Sequence, residues 1–437
     1  MSVLRFSLVG FGSRLAILAL GTVNTVVLAR YLEPQGRGEY FLFHTVLGLL
    51  ATFGDLGLAQ SANVYSGQHG PWRARIHTLM VRFALGCWLA TSILALAAYR
   101  VAGKTLVPHF PAAWIPLMVA ALPMMLYANF WNSMMIGAAG IWQYNLVRLG
   151  VTGVSVVLTL VFVVLLRNGV TAALLVNVVA LGVQSVTMAL LVRTILPGGP
   201  PPEPPPPLGR RMFLFGLRGY GNTVSGQLWL RIPVLLLNAA HGPTAVGIFS
   251  VAQVLADSFL LPIQAMQDAI YGKICAEKRG AAAAATNRYL RLAGSAMALV
   301  WIACEVLAGL VVVRVFGRPY AGAVPVFRIL IVGSAVMVLP MLLAPFFLAQ
   351  LRRPGLLSLL SGLSVVVSGL LSWALIPLGG AAGAALALAL TQVLGTGIVV
   401  AIYIRLAPAA LAHLLPRRED LAIAREQVES LVRRGGR

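Results

Sequence analysis

The sequence predicts an all-α integral membrane protein with twelve transmembrane helices in two pseudo-symmetric six-helix bundles. Three observations carry this expectation. Of 437 residues, 59% are hydrophobic and only 10% charged, with a mean hydropathy of +0.88, whereas soluble domains carry roughly 25% charged residues. Twelve apolar segments can be counted, each near the roughly 20 residues that cross a hydrocarbon core as a helix. Finally, the chain repeats itself. Phe11-Gly12-Ser13-Arg14 returns as Phe215-Gly216-Leu217-Arg218, and Gly38-Glu39-Tyr40-Phe41 is answered by Gly247-Ile248-Phe249-Ser250.

The segments run at 7–29, 40–65, 79–99, 113–136, 146–166 and 170–193, then at 211–238, 245–272, 289–313, 323–349, 355–376 and 380–404. Their apolar runs are too continuous for the alternation of a barrel strand, so helices are the spanning element. Between the sixth and seventh lies a strip from Pro197 to Pro207 so rich in proline that it must be extended. The organisation expected is an N-terminal bundle over 1–195, a cytoplasmic linker over 196–210, a C-terminal bundle over 211–404 and a basic cytoplasmic tail over 405–437. Within the tail, Leu421, Ala424, Val428 and Leu431 recur at helical spacing. They suit a short amphipathic helix on the membrane surface, or equally a solvated tail.

Basic residues orient the chain. With the N-terminus cytoplasmic, 22 of the 33 Lys and Arg fall on that side and 8 on the other. The remaining Arg14, Arg218 and Arg231 lie within spans. Both termini and the linker are therefore expected in the cytoplasm. The formal charge of +21 has the same origin; no basic folded domain outside the membrane suggests nucleic acid. Cys87, Cys275 and Cys304 and six scattered histidines show no metal-ligand spacing, so no metal and no bound cofactor are expected.

Duplicated bundles around a shared central site are how many secondary transporters are built, which makes transport the first hypothesis. Charges inside spans cost about 2.5–3.5 kcal/mol at a helix centre, so they should face a bundle interior or a wet cavity. Arg14 and Asp55 fall at one depth of an antiparallel hairpin, where they either pair to fix register or serve a substrate. Arg218 holds the matching place in the second half. Arg231, just before Pro233, projects from another face of the same helix. Asp257 and Glu305 are candidate proton or sodium sites, or paired structural charges. Asn129, Asn132 and Asn222, with Tyr127 and Trp131 nearby, suit sugars, although membrane amides often bridge helices and Trp and Tyr often mark the interface.

The stretch Ala29-Arg30-Tyr31-Leu32-Glu33-Pro34-Gln35-Gly36-Arg37-Gly38-Glu39-Tyr40, then Gly54-Asp55-Leu56-Gly57-Leu58 and Ser61, resembles the N-terminal signature of bacterial lipid-linked oligosaccharide flippases. These belong to the multidrug/oligosaccharidyl-lipid/polysaccharide exporter superfamily. Val246-Gly247-Ile248-Phe249-Ser250-Val251-Ala252 is similar to their eighth helix. The resemblance implies a carrier in the bacterial inner membrane, not an enzyme. It would move undecaprenyl-diphosphate-linked repeat units from the cytoplasmic to the periplasmic leaflet, for O-antigen or exopolysaccharide assembly. It also implies membrane lipids and polysaccharide polymerase or chain-length machinery as partners. Arg14, Arg218 and Arg231 become candidates for the diphosphate, with Asp55 positioning Arg14 and Asp257 or Glu305 coupling to a gradient. The rival within the superfamily is a cation-coupled multidrug or metabolite antiporter, against which the arginines tilt. An enzyme on the same glycans would need an external acid/base pair, and the loop at 100–112 offers only Lys104 and His109.

Overall fold

In the computed structural model the described residues are 3–108, 110–194, 196, 207–277, 279–350 and 354–406. The proline strip over 197–206 and the tail beyond 406, with its expected amphipathic helix, lie outside them. Among the described residues every regular element is helical. Nine helical stretches among the described residues are long and apolar enough to cross a membrane, so the chain is a multi-pass membrane protein. Three of the nine, over Ala16–Asp55, Leu208–Gln264 and Ser358–Leu406, run for 40, 57 and 49 residues. That is about twice what one crossing requires.

Each of these long stretches is broken at a residue with positive φ. α1 (Val3–Asp55) bends at Glu33 (φ 56°), α7 (Leu208–Phe259) at Gly242 (φ 74°) and α11 (Pro354–Leu406) at Gly380 (φ 52°). A proline follows the first two bends, Pro34 and Pro243. Proline disfavours the α region for its predecessor and cannot donate to the helix ladder, so the chain turns there. The gap between the first two predicted segments, 30–39, holds this bend, inside a helical run.

The second predicted segment, 40–65, is a correction. α1 ends at Asp55, Leu56 (φ 48°) and Gly57 (φ 73°) turn left-handed, and a separate α2 (Leu58–Gln68) begins. The Asp55 carboxylate accepts the backbone N–H of Ala59 at 3.2 Å. A carboxylate satisfying an otherwise orphaned N–H at a helix start explains the break. The pattern recurs in the second half, where α7 ends at Phe259 and a short α8 (Leu261–Ala276) follows. A bent long helix followed by a short one thus occurs twice along the chain.

The chain packs as two compact units, residues 1–250 and 251–437. The first holds α1, α2, α3 (Arg73–Leu106), α4 (Ile115–Gly137), α5 (Ile141–Thr159), α6 (Gly169–Leu191) and α7 as far as Ser250. Its core joins Phe43, Trp114, Leu126, Phe130 and Trp131 to Met212 of α7. In the second unit α10 (Ala323–Ala349) packs against α8, α9 (Arg279–Val311) and α11. There Tyr403 donates to Asn287 Oδ1 at 2.8 Å, and Gln350 Nε2 donates to the carbonyls of Ile274 (2.6 Å) and Glu277 (3.0 Å) at the end of α8.

Candidate functional site

Within the first unit, the α1 limb after Glu33 and the α7 limb before Gly242 lie side by side, and their contacts fall at matching heights. Nearest the bends, the backbones touch. A methyl on Gly38 would lie 2.6 Å from the Pro243 carbonyl carbon and 2.8 Å from the Gly247 nitrogen. A methyl on Gly247 would lie 2.7 Å from the Pro34 carbonyl carbon and 3.0 Å from the Gly38 nitrogen. The duplicated Pro-x-x-x-Gly segments therefore pack reciprocally, each glycine against the other copy's proline carbonyl. Only residues without a Cβ permit so close an approach.

Further along, Arg231 and His44 each stand 11 residues from their bend, about 17 Å along the axis. The Arg231 guanidinium lies over the Phe41 ring, 6.0 Å from its centroid. Arg37 lies over Tyr40 at 5.5 Å and is buried, with only 4% of its surface exposed. Tyr40 in turn packs on His44 at 4.5 Å between ring centroids. Both guanidiniums act electrostatically on His44. Two arginines and a histidine thus lie among the Tyr40 and Phe41 rings inside the first unit.

Deeper still, Tyr220 donates to the Phe53 carbonyl at 2.9 Å and Ser61 to the Met212 carbonyl at 2.6 Å. Gly57 and Gly216 meet backbone to backbone, and Phe215 packs edge-on to Tyr65. Arg218 and Asn222 are exposed beside these contacts. The repeated Phe-Gly-x-Arg of α7 accordingly works in two ways: its phenylalanine and glycine dock the helix on α1 and α2, and its arginine is left on the accessible side.

The other candidates are dispersed. Asp55 is engaged at the start of α2. The Arg14 side chain lies outside the described residues, so the expected Arg14–Asp55 pair does too. Asn129 and Asn132 are half-buried on α4; Asn132 Oδ1 is buried without a hydrogen-bond partner among the described residues. Trp131 is a correction to its interfacial reading, since it is fully buried core, while Tyr127 bonds His77 at 3.1 Å. In the second unit Asp257 is exposed, and Glu305 stands 3.8 Å from Arg328. Among the described residues no group of His, Cys, Asp and Glu could hold a metal ion.

Arg37 and His44 escaped the sequence reading, which assigned Arg37 to a loop and counted His44 among scattered histidines. Arg37, Tyr40, Phe41 and His44 follow the i, i+3, i+4, i+7 spacing of one helix face. That periodicity was the available signal.

The sequence matches the "Polysaccharide biosynthesis protein" family over residues 4–264, more than half the chain and nearly all of the site just described. The chain belongs to the polysaccharide biosynthesis protein family. No curated protein matches it. Solved structures do resemble it in fold. The lipid II flippase MurJ in an inward closed conformation is 13% identical, with a TM-score of 0.69, covering 93% of this chain and 88% of that one. An inward-facing multidrug resistance MATE transporter of the MOP superfamily is 16% identical, with a TM-score of 0.66 and 88% and 93% coverage. A MOP superfamily transporter from Pyrococcus furiosus, described as having reversed binding-pocket polarity, is 16% identical, with a TM-score of 0.62 and 90% and 93% coverage. This member of the polysaccharide biosynthesis protein family therefore has the fold of MOP superfamily transporters.

Proposed function

We propose that the protein is a flippase that moves undecaprenyl-diphosphate-linked oligosaccharide repeat units from the cytoplasmic to the periplasmic leaflet of a bacterial inner membrane. The observation that carries this reading is the charge along the α1–α7 seam. Arg37 and Arg231 stand against aromatic rings, and Arg218 is accessible further along. Guanidinium forks suit diphosphate oxygens, and partial desolvation strengthens such contacts. Amides on α4 and Asn222 on α7 would serve the sugars.

In this reading the three bent helices each cross twice, giving twelve crossings with both termini cytoplasmic. The reciprocal Pro-x-x-x-Gly contact closes the periplasmic end and parts during alternating access. Asp257 and Glu305, the latter 3.8 Å from Arg328, serve as the candidates for proton or sodium coupling.

A second reading, a cation-coupled multidrug antiporter, is favoured by the MATE-like fold. The seam's positive charge opposes it for cationic drugs.

The test is export in a host lacking its own repeat-unit flippase. Arg218→Ala and Arg231→Ala, each at normal membrane levels, should lower surface polysaccharide about ten- to a hundredfold. That is the loss expected for one charge-assisted hydrogen bond of roughly 1.5–3 kcal/mol. Lysine at either position should restore part of it. Full export by both alanine variants would contradict the proposal.

A further inference from the structure

We infer that an elongated apolar slot on the same seam holds the polyprenyl chain of the carried lipid; this rests on the flippase reading and adds a tail site to its headgroup site. The slot has a volume of about 410 Å³ and lies wholly within the first unit, between α1, α3, α4 and α7. Ligand pockets commonly fall between about 300 and 1,000 Å³. Its walls run along the helices. On α3 they extend from Ser92 to Gly103, about 16 Å at the α-helical rise, and on α7 from Ile232 to Ala239, about 10 Å. A long, narrow space parallel to membrane-spanning helices matches a hydrocarbon chain lying along the bilayer normal.

The chemistry of the walls agrees. Leucine, isoleucine, valine, alanine and phenylalanine dominate, and no charged side chain is among the described residues lining it. Tyr99 turns its hydroxyl to the Phe110 carbonyl at 3.4 Å, so that it offers the slot its ring. A sugar or phosphate placed there would lose its hydration for few hydrogen bonds in return.

Continuity with the cationic seam singles out the carried lipid among possible occupants. Ile232 lines the slot, while its neighbour Arg231 turns to Phe41. At the other end, the slot residue Phe53 is the one whose carbonyl receives Tyr220, two positions from Arg218. One helix therefore shows guanidiniums on one face and the slot on another. A lipid with an anionic head on the first would find room on the second for the isoprene units nearest its diphosphate.

The test uses the full chain in liposomes of phosphatidylethanolamine and phosphatidylglycerol. One photoreactive probe is a polyprenyl diphosphate with a diazirine in the isoprene units nearest the diphosphate. The other is phosphatidylethanolamine with a diazirine in its acyl chain. The polyprenyl probe should label segments 46–53, 92–103 and 232–239, and unlabelled polyprenyl diphosphate should displace it. Ala95→Trp should cut this labelling roughly tenfold, the loss expected when about two methylenes leave an apolar site. Leu96→Phe is the milder variant, and labelling of the unmodified protein needs neither. If the phosphatidylethanolamine probe labels the slot and polyprenyl diphosphate does not displace it, the slot holds bulk lipid and the inference is overturned. Saturable polyprenyl labelling elsewhere on the protein would overturn the slot and leave the flippase reading intact. No saturable polyprenyl labelling anywhere would overturn both.

Discussion

Asp55 shows how one residue separates architecture from chemistry. Its carboxylate accepts the Ala59 N–H where α1 gives way to α2. An asparagine amide oxygen can accept the same N–H, whereas an aliphatic side chain leaves it unpaired, at a cost of roughly 1–3 kcal/mol. A capping role therefore predicts that Asp55→Asn exports glycan normally and melts within a degree or two of the parent. Asp55→Leu should melt several degrees lower, as read by thermal unfolding in detergent. Export abolished in a stable Asp55→Asn protein would instead mark the carboxylate as a coupling group. Residues at this scale were only partly legible. The intramembrane Arg218 and Arg231 stood out because charge in an apolar run is costly. Arg37 did not, because an arginine beside Glu33-Pro34 and Gly38 reads as part of a turn. Asp55 was recognised as unusual, but its cap depends on the left-handed Leu56-Gly57 pair, which apolar periodicity does not reveal.

At the scale of elements, the duplication visible in the sequence has a physical meaning. Gly38 and Gly247, aligned as repeats, are also each other's neighbours in the first unit. Adding a methyl to either forces the opposite proline carbonyl to move, and overpacking of this kind costs about 1–3 kcal/mol. Gly38→Ala and Gly247→Ala should each loosen this end of the seam. A cysteine placed at Phe41 reports it: its rate of modification by a water-soluble maleimide should rise about tenfold in either alanine background, as that cost shifts the open population. An unchanged rate would show that the contact does not govern access. The helices themselves were legible because their apolar runs are long and uninterrupted. The bends at Glu33 and Gly242 fall in the predicted gaps 30–39 and 239–244, but an apolar count cannot distinguish a loop from a helix turned by Glu33-Pro34 or Gly242-Pro243. For the same reason 40–65 read as one segment, although it breaks at Leu56-Gly57.

At the scale of the whole molecule, the proposed cargo of this member of the polysaccharide biosynthesis protein family is an anionic lipid-linked glycan. The multi-pass character followed from composition, because a chain with 10% charge and continuous apolar runs has no soluble fold available. The resemblance to lipid-linked oligosaccharide flippases rested on residues 29–61 and 246–252, and the family match over 4–264 includes both. Which lipid or solute moves was less legible, since MOP-type folds serve a lipid II flippase and multidrug transporters alike. The proposed cargo rests on the sign of charge of three arginines on or beside one seam. The most direct measurement reconstitutes the full chain in liposomes with lipid-linked oligosaccharide on one leaflet and follows its appearance on the other, with and without proton and sodium gradients. Protein-dependent transbilayer movement that is lost in Arg218→Ala and Arg231→Ala is the expected result. Movement of organic cations under those gradients, with the lipid-linked glycan left in place, would contradict it.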